Sequence, residues 1–103
     1  MYETDMCDME MSKMQEPLSR EVVIVNELGL HARSAAKIAA IASHAESQVY
    51  LSREGETVDA KSIIDMLTLA CGKGMRITIS IDSSSDAGIL SEIAALVEDG
   101  FGE

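Results

Sequence analysis

Met75-Arg76-Ile77-Thr78-Ile79-Ser80-Ile81-Asp82 alternates apolar and polar residues without a break. Successive side chains of a strand point to opposite faces, so this period of two describes a sheet with one dry face and one face that is wet or differently covered. Working back along the chain, Val49 and Leu51 alternate with Gln48, Tyr50 and Ser52, and Arg53-Glu54-Gly55-Glu56 is a turn signal before a short strand around Thr57, Val58 and Asp59. That pair is a hairpin. Further back, Val22-Val23-Ile24-Val25, within Arg20 to Asn26, is an apolar run that predicts a strand buried on part of both faces or central in its sheet.

Three helices fill the gaps. Ala32 to Ala42 is rich in Ala, Ile and Lys, and Ala35, Ile38, Ala39 and Ala42 share one face. Ser62, with Asp65 at capping-box-like spacing, opens a short helix through Ile63, Ile64, Met66, Leu67 and Leu69, with Gly72 as its stop. Ser83 to Ser85 cap a last helix whose buried stripe is Ile89, Ile93, Leu96 and Val97, and Gly100 and Gly102 let its end fray. The order strand, helix, strand, strand, helix, strand, helix predicts an α+β fold, with three helices on one face of a four-stranded, mostly antiparallel sheet. Periodicity alone would equally permit a ferredoxin-like arrangement.

At 103 residues the chain suits one modest core. A formal charge of −10 argues against nucleic acid and anionic membrane surfaces as partners. No apolar run has the length of a membrane span and no signal-peptide pattern opens the chain, so a cytoplasmic location is expected. Cys7 and Cys71 lack CxxC or Cys/His spacing, which gives no ground for a disulfide or a metal site. Met1 to Pro17 holds five of the seven methionines, five acids and one base, Lys13, and is expected to be a disordered tail ahead of a domain at 18–103.

The chemistry gathers at Leu28-Gly29-Leu30-His31-Ala32-Arg33-Ser34-Ala35-Ala36. His31 falls at the N-cap of the first helix, where Ser, Thr, Asp or Asn would satisfy the free N–H groups better. A residue that breaks a local rule is a candidate for function. Leu30 and Ala35 are spaced as a hydrophobic staple, and Gly29 allows a sharp turn. The helix dipole, the first-turn N–H groups of Ala32 and Arg33, and the Arg33 guanidinium together make an anion site centred on an imidazole. Imidazole nitrogen is also a nucleophile, so a phosphate could be carried covalently. His44 reads as an ordinary exposed histidine. No triad, Walker loop, metal cluster or second base accompanies His31, so a stand-alone enzyme is not expected.

Gly29-Leu30-His31-Ala32-Arg33, Lys61-Ser62-Ile63-Ile64 and Gly72-Lys73-Gly74-Met75-Arg76-Ile77-Thr78-Ile79-Ser80 resemble the HPr family, the histidine phosphocarriers of the bacterial phosphoenolpyruvate-dependent sugar phosphotransferase system, over about Leu18 to Glu103. The resemblance implies an open-faced sandwich of four strands and three helices. It implies a monomeric carrier without cofactor, accepting a phosphoryl group at the His31 ring nitrogen nearest the backbone. It implies enzyme I as donor and the A domains of sugar permeases or related regulators as acceptors, meeting an apolar surface supplied by Ile63, Ile64 and Leu67, at least one of which is expected to face inward. A dedicated serine kinase acting on Ser62 is implied as a regulator. A regulatory module of a nitrogen-related or catabolite-regulating branch, and a non-covalent anion-binding domain, are the other readings. The family usually has proline where this chain has Ser34, and the replacement is expected to add an N–H donor near the phosphate and to loosen the backbone.

Overall fold

The computed structural model describes residues 18–103, so the expected tail at 1–17 lies outside the described residues. Four strands, β1 (Ser19–Val23), β2 (Val49–Arg53), β3 (Glu56–Asp59) and β4 (Arg76–Ile81), form one antiparallel sheet in the order β1-β4-β2-β3. β4 is central, and its alternation is the sheet's two faces: Ile77, Ile79 and Ile81 are buried while Thr78 and Ser80 are partly open. The register carries that division across the sheet, with Val22 opposite Ile77 and Leu51 opposite Ile79 on the core side, and with Glu21, Thr78, Ser52 and Thr57 in one row on the other. A two-residue turn at Glu54 and Gly55, both with positive φ (50° and 85°), closes the β2–β3 hairpin, as right-handed strand twist favours.

The apolar run in β1 had suggested a buried or central strand, but β1 is an edge. Val22 and Ile24 are buried, whereas Val23 and Val25 are 38% and 47% exposed. An edge strand on a one-sided sheet presents its alternate residues to solvent whatever their polarity. This edge position of β1, paired with β4 alone among the described residues, is also what separates the fold from a ferredoxin-like one.

Three helices, α1 (Ala32–Ala42), α2 (Ile63–Leu67) and α3 (Ala87–Glu98), cover the dry face. α1 buries Ser34, Ala35, Ile38 and Ala42, small enough at three positions to bring its backbone close to its neighbours. α2 is one short turn and a half, capped by Ser62, whose hydroxyl accepts from Asp65 N–H at 3.2 Å. The capping box is only half built, because Ser62 N–H donates to the Asp59 carbonyl and not to the Asp65 side chain. The helix stops at Thr68, and the left-handed residue beyond it is Ala70 (φ 51°), not Gly72.

Ser83 caps a 3₁₀ turn, Ser84–Asp86, that precedes α3. The buried stripe of α3 is Leu90, Ile93, Ala94 and Val97, one position round from the expected one, with Ile89 and Leu96 only partly buried. Asp86 is buried because both carboxylate oxygens accept backbone N–H groups, from Glu46 and Ser47, at 2.9 Å each. After α3 the chain does not fray. Gly100–Gly102 makes a tight turn that drives Phe101, the sole phenylalanine, fully into the core at φ 60°. No helix among the described residues is long and apolar enough to cross a membrane.

Candidate functional site around His31

The turn that delivers His31 is fixed from below. Gly29 has φ 68°, and a Cβ there would sit 2.6 Å from the Cys71 carbonyl oxygen, so this position takes glycine for both conformation and space. The same carbonyl accepts Leu30 N–H at 2.9 Å. The segment leaving α2 is therefore the seat of the turn leading into α1. Leu30 and Ala35 are both buried, as a hydrophobic staple requires.

His31 is the N-cap of α1, in extended conformation, with its side chain 28% exposed. Its Nδ1 accepts Arg33 N–H at 3.3 Å, and its own N–H donates to Ser34 Oγ at 2.8 Å in a reciprocal capping box. Ser34 is fully buried, with Gly29 O and His31 O each 3.1 Å from its hydroxyl. The Ser34 hydroxyl ties the first turn together through a side chain that proline lacks. The Arg33 N–H proposed as a phosphate donor is occupied by the ring, and the Arg33 side chain is exposed, with no carboxylate partner among the described residues.

The other ring nitrogen meets a residue that sequence reasoning missed. Nε2 lies 2.7 Å from Glu103 Oε2, and Asn26, 6% exposed, donates through Nδ2 to Glu103 Oε1 at 3.0 Å and to Gly29 O at 2.9 Å. The Asn26 Oδ1 atom is buried without a partner among the described residues. Lys37, on α1, donates to the Phe101 carbonyl at 2.6 Å and so closes the Gly100–Gly102 turn over the site. Hydrogen bonds from Asn26 and then His31 hold the Glu103 carboxyl below the usual carboxylate range. The only sequence signal for this wall was a lone phenylalanine between two glycines, an apolar anchor where fraying was expected.

Arg33 N–H can only donate, so its hydrogen bond to Nδ1 fits the tautomer that carries hydrogen on Nε2. A carboxylate at Nε2 fits that tautomer. The lone pair of Nδ1 is thus held at the positive end of α1, which is where an anion would be bound.

Of the residues expected to form a partner surface, Ile63, Ile64 and Leu67 are 38%, 75% and 37% exposed. None of the three is buried. Met66 and Leu69 take the inward positions instead, because α2 turns that face toward the core. Leu28, in the active turn, is 70% exposed. Ser62 is half-buried at its cap, and His44 is exposed as expected. A separate depression of about 540 Å³ on the sheet face opposite the helices is lined by Glu21, Arg53, Glu54, Thr57, Arg76 and Thr78 among others. Its arginines are already paired with carboxylates, Arg76 with Glu21 and Arg53 with Glu54. No cluster of metal-ligating side chains occurs among the described residues.

A family model described as the phosphorylation site of the PTS HPr component matches residues 18–99. The chain belongs to the HPr family. It is 42% identical to the phosphocarrier protein HPr of Cupriavidus necator over 86 residues, covering 84% of this chain and 97% of that protein. It is 36% identical to the phosphocarrier protein NPr of Shewanella violacea, covering 84% of this chain and 94% of that one. Its fold superposes on HPr from Thermoanaerobacter tengcongensis with a TM-score of 0.77 at 30% identity, covering 82% of this chain and 96% of that one. Four antiparallel strands with three helices is thus the HPr fold, and the family's role is phosphoryl carriage.

Proposed function

We propose that His31 accepts a phosphoryl group on Nδ1 from phosphorylated enzyme I and passes it to the A domains of sugar permeases. The observation that carries this reading is the position of Nδ1: an unprotonated imidazole nitrogen at the N-terminus of α1, partly exposed, with Arg33 beside it. Phosphoryl transfer asks a carrier for little more than positioning and neutralisation of oxygen charge. A phosphoryl group on Nδ1 removes the lone pair that Arg33 N–H now uses, and the freed first-turn N–H groups of Ala32 and Arg33 can then bind phosphoryl oxygens. The exposed, planar Arg33 guanidinium neutralises the rest. Nothing in this role needs a cofactor or turnover by the protein alone, so it is a stoichiometric carrier.

In this reading residues 18–103 are the carrier domain, a cytoplasmic monomer, and 1–17 a tail without a part in transfer. Exposed Ile63, Ile64 and Leu67, with α2 packed beside α1, are the apolar surface that enzyme I and the acceptors meet. Ser62 at the start of that surface is the site where a serine kinase would act. Phosphate there would add charge to an apolar contact surface. The aspartate form, Ser62→Asp, should then accept phosphate from enzyme I much more slowly than Ser62→Ala, and equal slowing in both would leave Ser62 a helix cap.

The test of the carrier reading is a relay assay with phosphoenolpyruvate, enzyme I and a sugar-permease A domain. Phosphate should appear on this protein and then on the A domain. Phosphate that reaches this protein but no sugar-specific acceptor would favour a regulatory module instead, a reading that likeness to an NPr supports. Binding of free phosphate without a covalent mass change would favour a plain anion site.

A further inference from the structure

We propose, resting on the carrier reading, that Glu103 is the positioning residue of His31: its carboxylate keeps the proton on Nε2 and serves as counter-ion to the ring while Nδ1 is bonded to phosphorus. The geometry is two-sided. Arg33 N–H aims at Nδ1 and excludes a proton there, and Glu103 Oε2, 2.7 Å from Nε2, can only accept. Asn26 fixes the carboxylate in turn by donating to its other oxygen at 3.0 Å. Asn26 directs both amide hydrogens to Gly29 O and Glu103 while its buried Oδ1 goes unpaired. A buried polar atom left without a partner asks for an explanation, and the use of both amide hydrogens on this wall supplies one.

A structural role alone accounts for less. The Gly100–Gly102 turn is already anchored by buried Phe101 and by Lys37 on the Phe101 carbonyl at 2.6 Å. The Glu103 side chain adds its contact to the ring and to Asn26, not to the core.

The step balances without moving a proton on the protein. The Nδ1 lone pair forms the N–P bond as the bond from phosphorus to the donor's leaving atom breaks, and the donor keeps that electron pair. The ring now bears hydrogen on Nε2 and phosphorus on Nδ1, hence a positive charge that the Glu103 carboxylate faces. When an acceptor nucleophile attacks phosphorus, the N–P pair returns to Nδ1 and the starting tautomer is regenerated. A preorganised counter-ion for the charge that develops on the ring lowers the barrier to its phosphorylation.

The experiment uses the full chain with nitrogen-15-labelled histidine, and phosphoramidate as a small phosphoryl donor that leaves as ammonia. In the wild type near neutral pH the neutral-ring signals of His31 should show hydrogen on Nε2. Glu103→Gln has one oxygen to share between Asn26 and His31, so its amide group should meet the other and the tautomers should become mixed. Phosphorylation of that variant should slow by about tenfold, the size of one charge-assisted hydrogen bond acting on a rate. Glu103→Ala should do the same. Melting points within a few degrees of the wild type would show that the fold is kept. An unchanged tautomer in the variants, or a rate within about twofold of the wild type, overturns the proposal. A wild type that gains no phosphate sinks the carrier reading instead, and the nitrogen spectra then still decide whether Glu103 holds the tautomer.

Discussion

Two helix starts in this molecule are built on opposite principles. α2 begins with Ser62, a good cap that serves a five-residue helix through one local hydrogen bond to Asp65. α1 begins with His31, a poor cap by propensity, yet it opens an eleven-residue helix and is held on every side: Ser34 within the turn, Cys71 below and Glu103 across it. The first start satisfies its own donors. The second leaves an imidazole nitrogen at the positive end of a helix and holds it with distant residues. The structural cap is local, whereas the cap proposed to react is supported by tertiary contacts.

The sharpest way to separate the two starts is through charge. Arg33→Ala should slow phosphoryl transfer by about 10- to 100-fold while leaving the melting point nearly unchanged, since the side chain is exposed and its proposed work lies in the transition state. Unchanged transfer kinetics would remove Arg33 from the site. Next in size is Gly29→Ala. A Cβ 2.6 Å from the Cys71 carbonyl oxygen, at φ 68°, should destabilise the fold by on the order of 2 kcal/mol or more, measured by urea unfolding. A neutral result would mean that the turn does not rest on the α2 segment.

The caps themselves give the direct contrast. Ser34→Ala removes a fully buried hydroxyl and orphans His31 N–H, and should cost about 1–2 kcal/mol. Ser62→Ala, at a partly open and purely local cap, should cost about 0.5–1 kcal/mol. The reverse order in chemical denaturation would break the comparison. Smaller still, and of opposite sign, Ala70→Gly should stabilise the protein by about 0.5 kcal/mol, because exposed Ala70 holds φ 51°.

The acid limb of stability tests the distant support. Glu103 is held below the ordinary carboxylate range by Asn26 and His31, with Lys37 contributing a weaker attraction. A folded-state value below the unfolded one means that this contribution is complete above the ordinary carboxylate range and is lost as pH falls through the lowered value. Removing the carboxylate in Glu103→Gln should therefore narrow the stability gap to the wild type as the solution is acidified through that window. A gap independent of pH would show that the ionised carboxylate contributes nothing.

What could be read from the chain follows the same division. The alternation from Met75 to Asp82, the Glu54-Gly55 turn and the His31 cap are local patterns, and each appears in the structure where residue spacing put it. Edge position is not local: Val23 and Val25 read as core, yet nothing among the described residues covers their side of β1. The meeting of His31 with Glu103 spans 72 residues, and that of Asn26 with Glu103 spans 77. Periodicity carries no information at that separation. The Ser34 hydroxyl's bond to the backbone of His31 is likewise a matter of side-chain geometry that residue spacing does not carry.

The central claim is that His31 carries phosphate covalently, and the most direct measurement is intact mass after incubation with phosphoenolpyruvate and enzyme I. The wild type should gain one phosphoryl group that is lost in mild acid and retained in base, and His31→Ala should gain none while keeping its circular dichroism spectrum. The same acid-labile gain in His31→Ala, or no gain in the wild type, would contradict the account.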